Sequence, residues 1–430
     1  MSAISSRRRV VITGYGMITP SGKNTEETFD NCSKGLSGID YISSFDTTGL
    51  PCRIAGEVDN KWIEEFERSS DRKLRNFSSR GLRLMRIAAA EAAKQAGLDE
   101  IENRSRIGVS IGSHGDNPSV ENIKFLLRFY DGEGNWDMNG LMKAGGYPYL
   151  HFFRRKPDVA PSILATLFNC RGPVLSTVSA CAAGSQAIGE SARLIQDNKC
   201  NVMIAGGCEA TIDFPGMTGF ILLKALCEKY TDPRKASRPF DRRRSGFVMS
   251  EGAGALVLEE LEHARSRGAR ILGELKGYGS SADAYRITDT HPKGLGAVIA
   301  MKAALEDASL SPDDVDYINA HGTSTTQNDL TETRAIKEVF GERANEIPVS
   351  SNKSMLGHAI AAAGPIECIL TIEGINRSII LPTINHESRD PKCNLDYVPN
   401  EARRKEHKTA ISNSFGFGGQ NACLCIGKFA

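Results

Sequence analysis

The stretch Ser176–Gln196, STVSACAAGSQAIGESARLIQ, joins a short β-branched run to a helical pattern of small residues. Val174–Val178 has the apolar, β-branched character of a strand, and apolar residues recur at helical spacing from Ala182 onward. Cys181 is therefore predicted at a helix start, where free N–H groups and the helix dipole favour a thiolate by about 0.3–1 kcal/mol. A lowered thiol pKa would make Cys181 a candidate nucleophile. The alternative is a small buried hydrophobe, as most cysteines are.

Composition and charge limit the class of protein. The chain has 430 residues, a net charge of +1 and 24% charged residues, which argues against a general nucleic-acid binder. Its eleven cysteines include no CxxC pair, and no signal peptide precedes the first apolar run at Val10, so a reducing, cytoplasmic setting is expected. No apolar stretch approaches the ~20 residues of a membrane-spanning helix, so no membrane partner is expected.

Strand and helix patterns alternate along the chain, and the order then begins again near residue 270. Alternating units of this kind indicate an α/β protein with a mostly parallel sheet covered by helices. A repeat this long predicts a duplicated domain. If a pseudo-twofold axis relates the halves, Cys181 and His358 would lie at equivalent helix starts. The predicted strands are 9–14, 106–113, 201–209, 255–259, 271–277, 317–320, 347–350, 408–412 and 422–428, and the main helices of the second half are 297–308, 330–340 and 359–376.

Two of the eight histidines lie among small residues rather than in charged or loop segments. His321 follows the predicted strand YINA and opens HGTST, and His358 is in SSNKSMLGHAIAAAG. Each alone could be a hydrogen-bonded core histidine. Together with a cysteine at a helix start, they favour Cys/His nucleophilic chemistry. A metal site is the weaker alternative, because the chain has no HExxH motif and no paired CxxC spacing.

Short sequence motifs occur along nearly the whole chain. Each is weak evidence for a family when taken alone, but together they are specific. They are, in order, RVVITGYGMITPSG, VSACAAGSQAIGE, NVMIAGGCEA, ASRPFDRRRSGFVMSEGAGALVLE, SSADAY, NAHGTSTTQNDLTET, SSNKSMLGHAIAAAG and SNSFGFGGQN. By these motifs the chain resembles the elongating β-ketoacyl-acyl-carrier-protein synthases of the thiolase superfamily, which include the type II polyketide ketosynthases. The resemblance implies the five-layered αβαβα thiolase fold with two pseudo-twofold-related halves. We expect them at 1–262, with the nucleophilic cysteine, and 263–430, with two catalytic histidines.

The resemblance also implies an activity, a ping-pong decarboxylative Claisen condensation. An acyl group would pass from its carrier to Cys181, and the carbanion left when malonyl-acyl-carrier protein loses CO2 would attack it, giving a 3-oxoacyl-acyl-carrier protein in fatty acid elongation. The alternative is a specialised type II polyketide or polyene ketosynthase working with a chain-length partner. A non-catalytic chain-length or scaffolding subunit is disfavoured because Cys181, His321 and His358 are all retained. Two relatives are also disfavoured: thiolase proper, which needs a second catalytic cysteine, and the initiating synthases, which have a His/Asn pair.

Individual roles follow only from the resemblance. Phe417 would contribute a backbone N–H to an oxyanion hole together with Cys181. The residues expected to be catalytic are Cys181, His321, His358, Lys353, Glu332 and Phe417. Those expected to contact substrate are Thr323 and Thr325, which would hold the pantetheine arm, and Phe220 and Phe415. No cofactor is implied, because the substrate carries phosphopantetheine on its carrier.

The implied partners are an acidic acyl carrier protein and a second subunit, giving a homodimer or a heterodimer with a chain-length subunit. A basic surface would chiefly raise the association rate with the carrier. The expected docking residues are Arg68, Arg72, Lys73, Arg75 and Lys224. No firm metal site is predicted, but a monovalent cation site is possible at Asn319, Glu332, Glu367 and Asn413. The alternative to a cation at Glu332 is that Lys353 holds the carboxylate of Glu332 in place.

Several positions depart from the family pattern. Thr326 stands where a proline is usual, and Arg242, Arg243 and Arg244 replace common acidic charges before Ser245. The region from residue 112 to 157 is irregular and lacks the familiar pattern. It could cap a site or an interface, or be a variable surface excursion. These departures bear on the substrate range and leave the Cys/His/His set untouched.

Overall fold

The computed structural model describes residues 7–145, 149–286 and 290–429. The strands are β1 (Val10–Ile18), β2 (Asp40–Tyr41), β3 (Ile54–Ala55), β4 (Ile107–Gly112), β5 (Val174–Thr177), β6 (Val202–Glu209), β7 (Gly252–Glu260), β8 (Gly273–Ala282), β9 (Tyr317–Asn319), β10 (Val349–Ser350), β11 (Ile379–Ile380), β12 (Arg403–Arg404), β13 (Thr409–Phe415) and β14 (Gln420–Gly427).

The helices alternate with these strands over most of the chain. They are α1 (Thr25–Ser33), α2 (Asn60–Arg68), α3 (Arg72–Phe77), α4 (Arg80–Gln95), α5 (Val120–Leu127), α6 (Met138–Lys143), α7 (Tyr149–Arg154), α8 (Val159–Leu167), α9 (Ala183–Gln196), α10 (Phe214–Leu222), α11 (Leu261–Ser266), α12 (Leu295–Asp307), α13 (Thr326–Phe340), α14 (Lys353–Leu356) and α15 (Ala363–Arg377). The region predicted to be irregular, 112–157, contains the short helices α5, α6 and α7. None of the described helices has the length and apolarity needed to cross a bilayer.

Ten strands of the described residues form one continuous sheet in the order β10-β9-β13-β14-β8-β1-β7-β6-β4-β5. The two halves meet where Val10–Ile12 of β1 pairs antiparallel with Gly273–Leu275 of β8. Outward from this contact, the strand order is β1, β7, β6, β4, β5 in the first half and β8, β14, β13, β9, β10 in the second. When the sheet strands of each half are counted in chain order, both halves therefore have the order first, fifth, fourth, second, third. The mirrored order confirms the predicted pseudo-twofold duplication.

The prediction of a mostly parallel sheet is wrong. β4 pairs in parallel with β5 and β6, and β9 does so with β10 and β13. The five central pairings, which involve β1, β7, β8 and β14, are antiparallel. In the second half the reason is the short loop Gly416–Gly419 between β13 and β14, because only an antiparallel pair can be joined by so few residues.

Helices fill three layers around the two halves of the sheet. α9 and α15 contact each other and strands of both halves, so they lie between the halves. α4 and α8 cover the outer face of the first half, and α12, with α13 against it, covers the second. This confirms the five-layered αβαβα architecture. Small residues permit the close central packing: a Cβ added at Gly184 would lie 2.4 Å from the carbonyl oxygen of Ala361.

The starts of α9 and α15 are equivalent, but Cys181 and His358 are not counterparts. One turn of 3₁₀-helix precedes each helix, Ala180–Ala182 before α9 and Ile360–Ala362 before α15. The first residue of each turn has a positive φ, 49° at Ala180 and 41° at Ile360. Cys181 therefore corresponds to Ala361, and the predicted equivalence with His358 is wrong because His358 lies in the loop before the turn.

Candidate active site

Three buried side chains from separate elements converge at the start of α9. The sulfur of Cys181 lies 3.1 Å from Nε2 of His358. That sulfur and one ring nitrogen from each of His321 and His358 all lie within 4.8 Å of one another. The two imidazole rings meet edge to face with centroids 5.2 Å apart. The structure thus brings together the cysteine and the two histidines that the sequence singled out.

Backbone hydrogen bonds hold each of these residues in place. Cys181 lies in the 3₁₀ turn that links β5 to α9. His321 directly follows β9, and the N–H groups of His321 and Gly322 each donate to the Glu332 carboxylate at 2.8 Å. His358 donates its N–H to the Val248 carbonyl at 2.8 Å, and its carbonyl accepts from the Ser250 N–H at 3.0 Å. The loop before β7 therefore fixes the backbone of His358, whose imidazole contacts the sulfur.

Burial sets the protonation of the three reactive groups. It lowers the pKa of His321 and of His358 well below the usual range, and the charge of Lys353 acts in the same direction. Both imidazoles are therefore neutral near pH 7. Burial raises the pKa of the Cys181 thiol to about 11, so the prediction of a lowered thiol pKa is wrong for the free enzyme. Desolvation outweighs the helix start here, and the resting pair is a thiol beside a neutral imidazole that can accept its proton.

Two backbone N–H groups counteract the cost of charge on the sulfur. Hydrogen bonds from the N–H of Phe417 and from that of Cys181 itself both lower the thiol pKa, although burial outweighs them. Phe417 belongs to the loop between β13 and β14, where Gly418 and Gly419 have positive φ values of 85° and 76°. Such a backbone suits glycine. The predicted pair of oxyanion-hole donors thus lies together at the sulfur.

Two buried carboxylates near the histidines have different partners. Nζ of Lys353 is paired with Glu367, so the alternative in which Lys353 fixes Glu332 is wrong. Glu332 instead accepts hydrogen bonds from the loop that carries His321 and, at 3.2 Å, from Nδ2 of Asn413. Burial raises the pKa of each carboxyl to about 7. Glu332 thus positions His321, whereas Glu367 fixes Lys353, whose charge reaches both imidazoles.

The residues expected to hold a monovalent cation are all buried. Three of them carry an oxygen that has no hydrogen-bond partner within the described part of the chain: Oδ1 of Asn319, Oδ1 of Asn413 and Oε2 of Glu367. Carbonyl and carboxylate oxygens suit a hard cation. The donor set therefore fits the predicted ion.

A cavity of about 350 Å³ leads to the sulfur. Cys181, His321, His358, Thr323, Thr325, Phe415 and Phe417 all line it. The hydroxyl oxygens of Thr323 and Thr325 are 3.0 Å apart, and Thr326, which replaces a common proline, also faces the cavity. Phe220 lies behind this lining, with its ring centroid 6.3 Å from that of Phe417.

Sequence reasoning missed Phe247 as a site residue. Its ring lines the cavity and meets the imidazole of His358 edge to face, with centroids 5.3 Å apart. The signal available was its place in the motif RRRSGFVMSEG. Of the arginines in that motif, Arg244 is buried, with Nη1 2.7 Å from Asp390, while Arg243 pairs with Glu387 on the surface. Arg244 thus anchors this loop through a buried ion pair.

The expected docking residues lie at the protein surface. Arg68, Arg72, Lys73 and Lys224 are exposed, and Arg75 is half-buried. Lys224 lines the mouth of the cavity, whereas Arg68, Arg72 and Lys73 lie on α2 and α3, away from its lining. Among the described residues, no acidic side chain forms a salt bridge with Arg68, Arg72, Lys73 or Lys224.

Comparison with known proteins agrees with this geometry. Residues 7–264 match the model of the β-ketoacyl synthase N-terminal domain, and residues 272–387 match that of its C-terminal domain. The chain is 42% identical over 430 residues to 3-oxoacyl-[acyl-carrier-protein] synthase 2 of Staphylococcus aureus (strain COL), covering 99% of this chain and all of that protein.

Solved structures show the same fold. A type II PKS ketosynthase, bound to a hexaketide and in complex with its acyl-carrier protein, superposes with a TM-score of 0.84 at 33% identity, covering 99% of this chain and 100% of the other. The ishigamide ketosynthase/chain length factor gives a TM-score of 0.85 at 32% identity, with the same coverage. Sequence, fold and the Cys/His/His geometry agree: the chain belongs to the β-ketoacyl synthase family.

Proposed function

We propose that this chain catalyses the decarboxylative Claisen condensation of an acyl-enzyme thioester with malonyl-acyl-carrier protein, giving 3-oxoacyl-acyl-carrier protein in fatty acid elongation. One observation carries the proposal: a thiol and two neutral imidazoles converge at a buried point that a cavity reaches. The identity of 42% to a 3-oxoacyl-[acyl-carrier-protein] synthase 2 over the full length supports the same reaction.

In the first stage Cys181 takes up the acyl group. Its sulfur attacks the thioester carbonyl while the thiol proton moves to Nε2 of His358, 3.1 Å away. The tetrahedral intermediate carries a negative oxygen, which the N–H groups of Cys181 and Phe417 stabilise. One such donor is typically worth about 2.7–4 kcal/mol in the transition state. The phosphopantetheine thiolate then leaves and takes the proton from His358, so this imidazole is neutral again.

In the second stage the malonyl group loses CO2. The bond to the carboxylate carbon breaks, and its electron pair forms an enolate on the thioester. Burial keeps both imidazoles neutral. His321 donates a ring N–H to the enolate oxygen, and His358 does so from the tautomer that carries its proton on Nε2, the opposite of the tautomer that accepts the thiol proton. The enolate carbon attacks the acyl carbonyl on Cys181, the carbon–sulfur bond breaks, and the 3-oxoacyl product leaves. The Cys181 thiolate then takes a proton from water, which restores the resting thiol.

The substrates need no bound organic cofactor in this proposal, since each arrives on the phosphopantetheine arm of its carrier. The hydroxyls of Thr323 and Thr325 hold that arm, because both line the cavity and lie 3.0 Å apart. Phe415 and the ring of Phe220, behind Phe417, shape the apolar side. A monovalent cation at Asn319 and its neighbours would strengthen the loop of His321 and take no part in the chemistry.

The carrier docks on the basic residues at the surface of α2 and α3, with Lys224 at the cavity mouth. Arg68, Arg72, Lys73 and Lys224 are exposed, and none of them forms a salt bridge within the described residues. The solved type II PKS ketosynthase with its acyl-carrier protein is a precedent for such a complex. An acidic carrier would be attracted over a Debye length of roughly 8 Å at physiological salt.

A second subunit covers β5, at the edge of the sheet. Val174, Leu175 and Val178 are 42%, 39% and 54% exposed, and an apolar edge strand normally has a partner or a cover. The chain forms a homodimer or a heterodimer with a homologous chain-length subunit, and the halves 1–262 and 263–430 each act as one domain of a cytoplasmic enzyme. Light scattering gives about twice the chain mass for a homodimer.

A specialised polyketide or polyene ketosynthase is the second candidate function. The similarity in fold to the ishigamide ketosynthase/chain length factor favours it. The departures of residues 112–157 from the family's sequence pattern favour it as well. The experiment for both candidates combines the purified chain with acyl- and malonyl-carrier protein and measures the 3-oxoacyl product by mass spectrometry. Saturated acyl chains as the preferred substrates support elongation. Product formed only with an added chain-length subunit supports the second candidate, and no product with any carrier contradicts both.

A further inference from the structure

A second cavity, of about 270 Å³, lies beside the docking helix α3 and shares no lining residue with the active-site cavity. Pro118 is the one apolar residue among the eleven that line it. Four of the others are arginines, and Asp116 supplies the one carboxylate of the lining. Such an excess of positive groups around a polar cavity is unusual without a negative occupant.

Two of these arginines are not neutralised by the protein. Arg80 is neutralised, because two of its nitrogens lie 2.6 Å from the carboxylate of Glu251. By contrast, no acidic group lies within salt-bridge distance of Arg83 or Arg154 in the described ranges, and Nε of Arg83 is buried without a hydrogen-bond partner. Burial and then the charge of Arg83 lower the pKa of Arg154, and the charge of Asp116 opposes them. The two guanidinium groups therefore repel each other across the cavity.

Asp116, the one carboxylate of the lining, does not offset the positive charge of these arginines. Burial raises the pKa of Asp116 to about 7, and the charges of Glu209 and Asp213 act in the same direction, whereas a hydrogen bond with Ser79 and the charge of Arg154 oppose them. Asp116 is therefore only partly ionised near neutral pH. The helix starts add further positive potential, because Ser79 caps α4, Ser119 caps α5, and both caps line the cavity.

We propose that this cavity binds a phosphate-type oxyanion between Arg83 and Arg154. Arginine suits such a ligand, since its planar fork donates to two oxygens at once. Asn117 and Asn122 also line the cavity, and their amide nitrogens already donate to Asp213 and to Ser119, respectively. The ligand is either free orthophosphate or a phosphate ester on a nucleotide, which present the same oxygens to the site.

The occupied site would stiffen the docking helix. Nε of Arg154 donates to the Asn76 carbonyl at 2.6 Å, and Nη2 of Arg83 reaches the Arg75 carbonyl at 3.5 Å. Both carbonyls belong to the last turns of α3, which also carries Arg72 and Lys73. An anion that holds the two arginines would therefore hold the end of this helix. That consequence for carrier docking rests on the proposed function, whereas binding of the anion does not.

Calorimetric titration of the whole chain with orthophosphate, at pH 7 and constant ionic strength in sodium chloride, tests the site. We expect saturable binding that weakens at least tenfold in Arg83→Gln and in Arg154→Gln. The matched control is Arg128→Gln, which removes an equally positive but exposed side chain at the end of α5, and its affinity should be unchanged. Asp116→Asn should bind several-fold more tightly, because it removes the one negative charge of the lining.

Titration with adenosine 3′,5′-bisphosphate separates the two sources. If the bisphosphate binds more than tenfold more tightly than orthophosphate, and this gain is lost in Arg154→Gln, the ligand is a nucleotide ester. If the two probes bind with equal affinity, the ligand is the free ion. The proposal is overturned if neither probe binds saturably, if Arg128→Gln weakens binding as much as Arg154→Gln, or if Asp116→Asn weakens it. Circular dichroism checks that each variant folds. These titrations contain no carrier or acyl substrate, so a failed condensation assay leaves their outcome intact.

Discussion

The starts of α9 and α15 share one backbone geometry and differ in chemistry. Each has a first residue with positive φ and one 3₁₀ turn, followed by a glycine near the helix start, Gly184 or Gly364. The turn before α9 carries Cys181, and the equivalent turn before α15 carries Ala361. The two halves thus contain similar turns, and only the turn in the first half carries a cysteine. The second half instead supplies imidazoles from the loops that follow β9 and precede α15.

Removing the nucleophile is the largest expected effect. Cys181→Ala should abolish condensation, because no other group can carry the acyl chain, and Cys181→Ala/Ala361→Cys should not restore it, since the imidazoles face the first turn. Product formation measured by mass spectrometry checks both variants. Cys170→Ala, which removes a buried thiol in the loop between α8 and β5, is the control and should keep its activity. Restored turnover in the double variant would contradict the asymmetry between the turns.

Removing one imidazole should separate the two stages. His321→Ala and His358→Ala should each slow malonyl decarboxylation by roughly 10²–10³-fold, the usual cost of one oxyanion donor. The acyl-Cys181 adduct stays detectable in both, but it should form more slowly in His358→Ala, because Nε2 of His358 accepts the thiol proton. Cys181→Gln should retain decarboxylation although it cannot be acylated. Release of CO2 from labelled malonyl-carrier protein is the measurement. Undiminished release in both histidine variants would refute the roles given to the second half.

The pH dependence of alkylation tests the state of the thiol. With the pKa of Cys181 raised to about 11 by burial, the thiolate fraction of the free enzyme should grow about tenfold per pH unit between pH 8 and 10. The rate of modification by iodoacetamide, followed on the peptide containing Cys181, should rise in parallel. A plateau by pH 8 would mean that the helix start, not burial, controls the sulfur.

The close approach of the two turns should be sensitive to one added methyl group. In Gly184→Ala the new Cβ would lie 2.4 Å from the Ala361 carbonyl oxygen, so we expect a loss of about 1–3 kcal/mol in the free energy of unfolding. Gly219→Ala is the matched control, because its Cβ meets nothing within 4 Å in α10. Urea unfolding gives both values. Equal stability of the two variants would show that the halves pack less tightly than described.

The proposed carrier-docking surface lies in the first half, and changing it should give the smallest effect. Arg72→Glu/Lys73→Glu should raise KM for acyl-carrier protein about tenfold with little change in kcat, and the difference should shrink at high salt. Lys302→Glu, an exposed change on α12 of the second half, is the control. An unchanged KM for the double variant would remove this surface from the account.

Local patterns predicted much of the site. The β-branched run before Cys181, the small residues after it and the histidine after the strand YINA are all contiguous signals, and they located the reactive side chains and the duplication. Strand direction was not predictable in this way, because alternating elements look alike whether a pair is parallel or antiparallel. The raised thiol pKa, the pairing of Lys353 with Glu367 and the place of Phe247 depend on residues brought together from distant parts of the chain.

The most direct test of the converging thiol and imidazoles is a chase experiment read by peptide mass spectrometry. The enzyme is loaded from acyl-carrier protein and then mixed with malonyl-carrier protein. We predict that the acyl mass resides on Cys181, disappears on mixing in the wild-type protein as 3-oxoacyl-carrier protein forms, and persists in His321→Ala. Formation of the product without any adduct on Cys181, or discharge in His321→Ala at the wild-type rate, would contradict the account.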